Sequence, residues 1–197
     1  MRLDGIPARI GALPAIADGV VLRCLLPFSP TQSLRRSQHG NGYHAGGSRE
    51  RMGRDYFEDI EVGETHTFGE RDVTRAEILE FAECYDPQPF HTDESAASDS
   101  LFGGLIASGW HTAAMTMELL VTNVFADSAA TGALGVDELR WPNPVRPGDV
   151  LSVRTKVVDT EPWNEELGLV RRRTTTLAGE TEVMSMVGLV LYERRER

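Results

Sequence analysis

Asp86 and His91 stand five residues apart, with Pro87 and Pro89 between them, in the stretch Tyr85-Asp86-Pro87-Gln88-Pro89-Phe90-His91-Thr92-Asp93. A carboxylate and an imidazole held side by side form a general acid/base pair: one group takes a proton from a reacting atom while the other returns one. Such a pair works only when its geometry is fixed. Proline locks φ and drives the residue before it away from helical conformation, so this segment is expected to leave a preceding helix as a stiff loop. Taken alone, an aspartate after a helix is most often a turn or cap residue, and a loop histidine is most often structural. The surrounding elements decide between these readings.

Upstream, Thr65 to Val73 alternates as a strand. Thr74 followed by Glu77 has capping-box spacing. Ile78, Leu79, Phe81 and Ala82 then form the apolar side of a helix ending near Tyr85, just before the prolines. Downstream, Thr92 is a candidate cap for a short helix. The glycine-punctuated run Phe102-Gly103-Gly104-Leu105-Ile106-Ala107-Ser108-Gly109 leads into Trp110 to Phe125, the longest apolar run, which predicts a helix buried on most sides. Trp110, Met115 and Met117 read as core. Strands follow at Gly135 to Trp141 and Val150 to Thr160, then a hairpin of Leu167 to Leu177 and Thr181 to Tyr192. This order predicts an α+β fold in which an antiparallel sheet wraps around one central helix. Arg171-Arg172-Arg173 sits in a strand, where alternate residues face opposite sides, so the three cannot form one patch; a solvated face is expected.

Charge is unevenly spread. Residues 1–51 hold seven arginines and three acids, whereas residues 52–197 hold 13 basic and 27 acidic residues. An acidic domain is a poor match for nucleic acid, whose binding depends on neutralising phosphates. Residues 1–51 are rich in glycine, serine and arginine and read as a disordered extension. Met52 directly precedes the patterned region, and translation is expected to start there, with the domain over residues 52–197. No apolar run is long enough to span a membrane. Cys24 and Cys84 fall on either side of the boundary, so reduced thiols and a cytoplasmic location are expected rather than a structural disulfide. Neither metal-ligand spacing nor a glycine-rich dinucleotide loop is present, so no metal or redox cofactor is expected.

The stretch Asp86-Pro87-Gln88-Pro89-Phe90-His91 is similar to the motif Asp-x-Asn-Pro-hydrophobic-His of MaoC-like dehydratases, a hot-dog-fold family that includes (R)-specific enoyl-CoA hydratases. Phe57-Glu58-Asp59-Ile60-Glu61-Val62-Gly63, Ile106-Ala107-Ser108-Gly109-Trp110-His111-Thr112-Ala113 and Val145-Arg146-Pro147-Gly148-Asp149 also resemble the family, in the right order, over about residues 55–193. The resemblance implies a hot-dog fold, catalysis by Asp86 and His91, and a Gly109 N–H at the start of the central helix holding the thioester oxygen. It implies an acyl-CoA substrate with no separate cofactor, and a homodimer with the site between subunits. Gln88 replaces the family's asparagine, and Ser108 stands where many members carry histidine. Both are counted with Gly109 as oxyanion or substrate-binding residues. Thr116 lies near the place where some hydratases carry a serine.

Three functions remain open at this point. The first is reversible hydration of a trans-2-enoyl-CoA to a 3-hydroxyacyl-CoA. The second is acyl-CoA thioester hydrolysis on the same fold, which calls for a carboxylate on or beside the central helix; Glu118, two turns in, is the only acid there. The third is a non-catalytic acyl-CoA-binding or partner subunit.

Overall fold

A computed structural model describes residues 54–195. The extension expected over residues 1–51 and the start at Met52 lie outside them. Among the described residues, strands β1 (Thr65–Asp72), β2 (Ala130–Arg140), β3 (Val150–Pro162), β4 (Leu167–Ala178) and β5 (Thr181–Glu193) are joined in one sheet. The strand order is β1-β3-β4-β5-β2, and every pairing is antiparallel. Helices α1 (Arg75–Tyr85), α2 (Pro89–Thr92), α3 (Glu94–Ser98) and α4 (Gly109–Leu120) lie between β1 and β2 in the chain. The sheet wraps around α4, which is the hot-dog arrangement the sequence predicts.

The strands follow their alternation. Along β3, Leu151, Val153, Thr155 and Val157 are buried while Val150, Arg154 and Lys156 are exposed. Strand β2 begins earlier than expected, at Ala130. Gly132 and Gly135 interrupt its apolar pattern, and its pairing with β5 slips at three places. Strand β1 also carries a bulge, between Phe68 and Arg71. Gly69 sits in that bulge with φ +91°, and a Cβ there would come within 2.9 Å of Leu119. Glycine therefore satisfies both the positive φ and the close approach of α4.

Helix α4 packs its apolar side into two adjoining clusters. Met115 joins Val73, Ile78, Leu105 and Leu151, while Leu119 and Leu120 join Val153, Met184 and Met186. Trp110 and Met117, expected in the core, are instead exposed by 61% and 43%. They occupy the side of α4 turned away from both clusters. Beyond Leu120 the helix widens into a π-type turn over Val121–Phe125, so the apolar run is helical throughout, as predicted.

The arginine triplet on β4 splits. Arg171 pairs with Asp159 and Glu161, and Arg173 with Glu138, at 2.7–2.8 Å. Arg172 departs from the solvated face expected of it: only 5% of it is exposed. Its parity places it on the side of β4 that faces α4, the side carrying Thr174 and Thr176.

Sheet and helix are also joined by a polar contact. Thr116 and Thr176 are fully buried, with their hydroxyl oxygens 2.8 Å apart. The Thr116 hydroxyl donates to the Thr112 carbonyl, so Thr176 supplies the proton between the two. Thr116→Val strands the Thr176 hydroxyl in the core, and we expect a loss of about 1–3 kcal/mol by denaturant titration. The double variant with Thr176→Val, which removes both partners, should recover most of that loss.

Candidate active site

Helix α1 begins at Thr74, whose side chain accepts from the Glu77 N–H. This is half of the expected capping box; the Glu77 carboxylate turns instead to Arg71. The helix stops at Tyr85 because Asp86 precedes a proline. Asp86 adopts φ −151°, ψ 67° and caps the helix with its own N–H on Ala82. The irregular segment is shorter than expected. Pro89 occupies the first turn of α2 with Gln88 as its cap, so His91 stands on one turn of helix, where a proline costs no hydrogen bond. Asp93, not Thr92, caps α3 through the Ala96 N–H.

These short elements bring the predicted pair together. His91 Nε2 lies 3.5 Å from Asp86 Oδ2, with the histidine side chain 6% and the aspartate side chain 19% exposed. His91 Nδ1 lies 2.9 Å from the Ile106 carbonyl oxygen. A carbonyl only accepts, so Nδ1 carries a proton, and Nε2 is the nitrogen turned toward Asp86. The strand-like segment supplying that carbonyl is itself held, by Ile106 N–H on Phe90 and Ala107 N–H on Val145.

Ser108 and Gln88 both act on Asp86. The Ser108 hydroxyl donates to Oδ2 at 2.7 Å, and the Gln88 amide donates to Oδ1 at 2.8 Å. Ser108 also caps α4, accepting from the Trp110 N–H. The start of α4 is thereby tied to the carboxylate through one hydroxyl. Partial burial pushes the Asp86 pKa up, but the donors Ser108 and Gln88, with the nearby His91, outweigh it and hold the carboxyl below its ordinary value. Asp86 is therefore an ionised acceptor at neutral pH.

Gly109 opens α4, and its N–H makes no hydrogen bond among the described residues. The missing side chain serves packing: a Cβ at Gly109 would lie 2.7 Å from Trp141 Cε2. Trp141, which sequence reasoning missed, packs edge-on against Trp110 at 5.4 Å, and the two indoles flank the helix start. Thr116 lies against the sheet and not at the pair. Glu118 is bound to Arg71 on the outer side of α4, so it supplies no carboxylate to the pair. Among the described residues, no group of three or more His, Cys, Asp or Glu could hold a metal ion, and no helix is long and apolar enough to cross a membrane. The reduced thiol expected at Cys84 is overturned, since Cys84 is disulfide-bonded; the sequence's other cysteine, Cys24, lies outside the described residues.

The sequence profile of the family described as MaoC like domain matches residues 59–178. The chain belongs to the MaoC-like family. It is 31% identical over 143 residues to a 3-hydroxybutyryl-CoA dehydratase of Methylorubrum extorquens, covering 72% of this chain and 86% of that protein. It is also 29% identical over 130 residues to an (R)-specific enoyl-CoA hydratase of Rhodospirillum rubrum, covering 65% and 85%. The crystal structure of a MaoC-like dehydratase from Rhodospirillum rubrum superposes with a TM-score of 0.66 at 40% identity, covering 72% of this chain and 99% of that one.

One further ionisable group of this MaoC-like domain lies near the start of α4. His111 is buried, stacked on Phe81 at 4.6 Å, and its Nδ1 has no partner among the described residues. Burial lowers its pKa, opposed by Glu77 and aided by Arg71. The unfolded chain thus binds a proton near an ordinary value of about 6.5 that the folded chain resists, so folding weakens as pH drops below that value. His111→Phe keeps the stacked ring and removes the titration. Its unfolding free energy relative to wild type should rise between about pH 7.5 and about pH 5; an equal difference at both would exclude this source of acid sensitivity.

Proposed function

We propose that this chain adds water reversibly across the double bond of a trans-2-enoyl-CoA to give a 3-hydroxyacyl-CoA, with Asp86 and His91 as catalytic residues. The observation that carries the proposal is the 3.5 Å separation of His91 Nε2 and Asp86 Oδ2. This is too long for a good direct hydrogen bond and suits two acceptors gripping one water. Asp86 accepts, and in the reacting tautomer, with the proton on Nδ1 alone, His91 Nε2 accepts too, so a water between them can give one hydrogen to each. As its oxygen bonds to C3, one of its protons passes to the pair, and the electron pair of the double bond moves toward the thioester oxygen. The pair then returns one proton to C2. Water has been consumed and the pair restored.

The negative charge that develops on the thioester oxygen needs a donor in place before the reaction. The Gly109 N–H at the positive end of α4 supplies it. Ser108 and Gln88 are positioning residues in this reading, since both act through Asp86. No metal or redox cofactor is required, because only a proton moves and the helix end holds the charge. We further propose a homodimer. Among the described residues, strand β2 is an edge of the sheet that exposes Leu134 and Val136, and such an edge favours pairing with a second copy.

Asp86→Asn and His91→Gln should each lower kcat for hydration of crotonyl-CoA or longer trans-2-enoyl-CoAs by about 100- to 10,000-fold, the usual share of acid/base catalysis. Wild-type turnover in Asp86→Asn, or no hydration by wild type of any of these thioesters, would sink the assignment. Ser108→Ala removes a donor that favours ionised Asp86. Its kcat/KM profile should therefore fall off on the acid side at a higher pH than wild type; a fall-off at lower pH would mean the hydroxyl does something else.

A further inference from the structure

Arg172 lies in a cavity of about 300 Å³ between the end of α4 and strands β2, β4 and β5. Its neighbours there are otherwise uncharged and mostly apolar, among them Met117, Leu120, Val136 and Val190. Arg172 is only 5% exposed, yet its buried Nε and Nη1 have no hydrogen-bond partner among the described residues. The Tyr192 hydroxyl, also buried, makes no well-formed hydrogen bond among the described residues, although it lies close enough to Arg172 and Ser128 to interact with both. A guanidinium group is a permanent cation in proteins. A buried cation without a counter-charge is costly, and proteins avoid it unless something pairs with it.

The start of α4 carries Gly109, and its last turn and a half contributes Met117 and Leu120 to the cavity. Trp110, Ala113, Met117 and Leu120 follow one another at helical spacing on a single face. Trp110 flanks Gly109, and Met117 and Leu120 line the cavity. Met117 lies eight residues beyond Gly109, about 12 Å of helical rise. A thioester carbonyl at Gly109 would thus direct a medium-length acyl chain down this face toward Arg172. Gly188, opposite Arg172 on β5, leaves room at the far end.

We propose that Arg172 anchors the distal end of the acyl group, so that the substrate is a CoA thioester of medium chain length whose acyl group ends in a carboxylate. A carboxylate can accept from Nε and a terminal nitrogen of a guanidinium together, in the planar two-bond geometry that the ion favours. The Tyr192 hydroxyl adds a third donor nearby. This rests on the hydration reading for which end of the chain faces Asp86, but not for the binding itself.

The test therefore separates binding from turnover. Calorimetric titration of the full chain with saturated octanoyl-CoA, and with the CoA thioester of an eight-carbon dicarboxylic acid, measures the preference for a distal carboxylate. Wild type should bind the dicarboxylic thioester at least tenfold more tightly. In Arg172→Met that ratio should collapse toward one, and Arg172→Lys should keep part of it. Equal binding of the two ligands by wild type overturns the proposal without any variant, and covers the case in which a second copy of the chain fills the cavity. A preference that survives in Arg172→Met overturns it too. Tight, Arg172-dependent binding without hydration of the matching 2-enoyl thioester would uphold this site and reject the catalytic reading.

Discussion

The Asp86 carboxylate is partly enclosed where one helix ends and another begins, and it has to stay charged there. Burial alone would push it toward the neutral acid. Three groups from different parts of the chain prevent that: the Ser108 hydroxyl, the Gln88 amide and the His91 imidazole. Each depends on a local backbone feature. Pro87 ends α1 at the aspartate, Pro89 starts the helical turn that carries His91, and Ser108 reaches Asp86 as the cap of α4. A single carboxylate thus orients the two ends of helices between which a substrate would sit.

The reach of sequence reasoning follows from this. The end of α1 at Tyr85 was legible because a proline two residues on has only local consequences. The long strands were legible because alternation survives wherever one face is buried, as along β3. The helical turn at Pro89–Thr92 was open to view in principle, since proline is at home in the first turn of a helix. It was masked by the habit of reading prolines as loop. Strand β2 lost its first half because two glycines break the pattern that marks a strand.

What the sequence could not carry was contact between distant residues. Ser108 and Asp86 are 22 positions apart, and nothing in either identity says that one donates to the other. Ser108 and Gln88, expected at the substrate, both donate to the carboxylate. Trp141 sits on Gly109 from beyond β2 and gives the glycine a packing reason that no local spacing implies. Alternation did say that Arg172 must face away from Arg171 and Arg173. Which of the two faces is buried depends on the whole sheet wrapping α4, and that placed one arginine in the interior.

The central claim is that Asp86 and His91 act on one water from one side of the double bond. Its most direct test is hydration of trans-2-enoyl-CoA in deuterium oxide, with the relative configuration at C2 and C3 of the product read by proton NMR. Because the two groups hold the water and return the proton within 3.5 Å of each other, the account predicts a single deuterium at C2 added syn to the new hydroxyl. Anti addition, or a mixture of both configurations at early conversion, would contradict it.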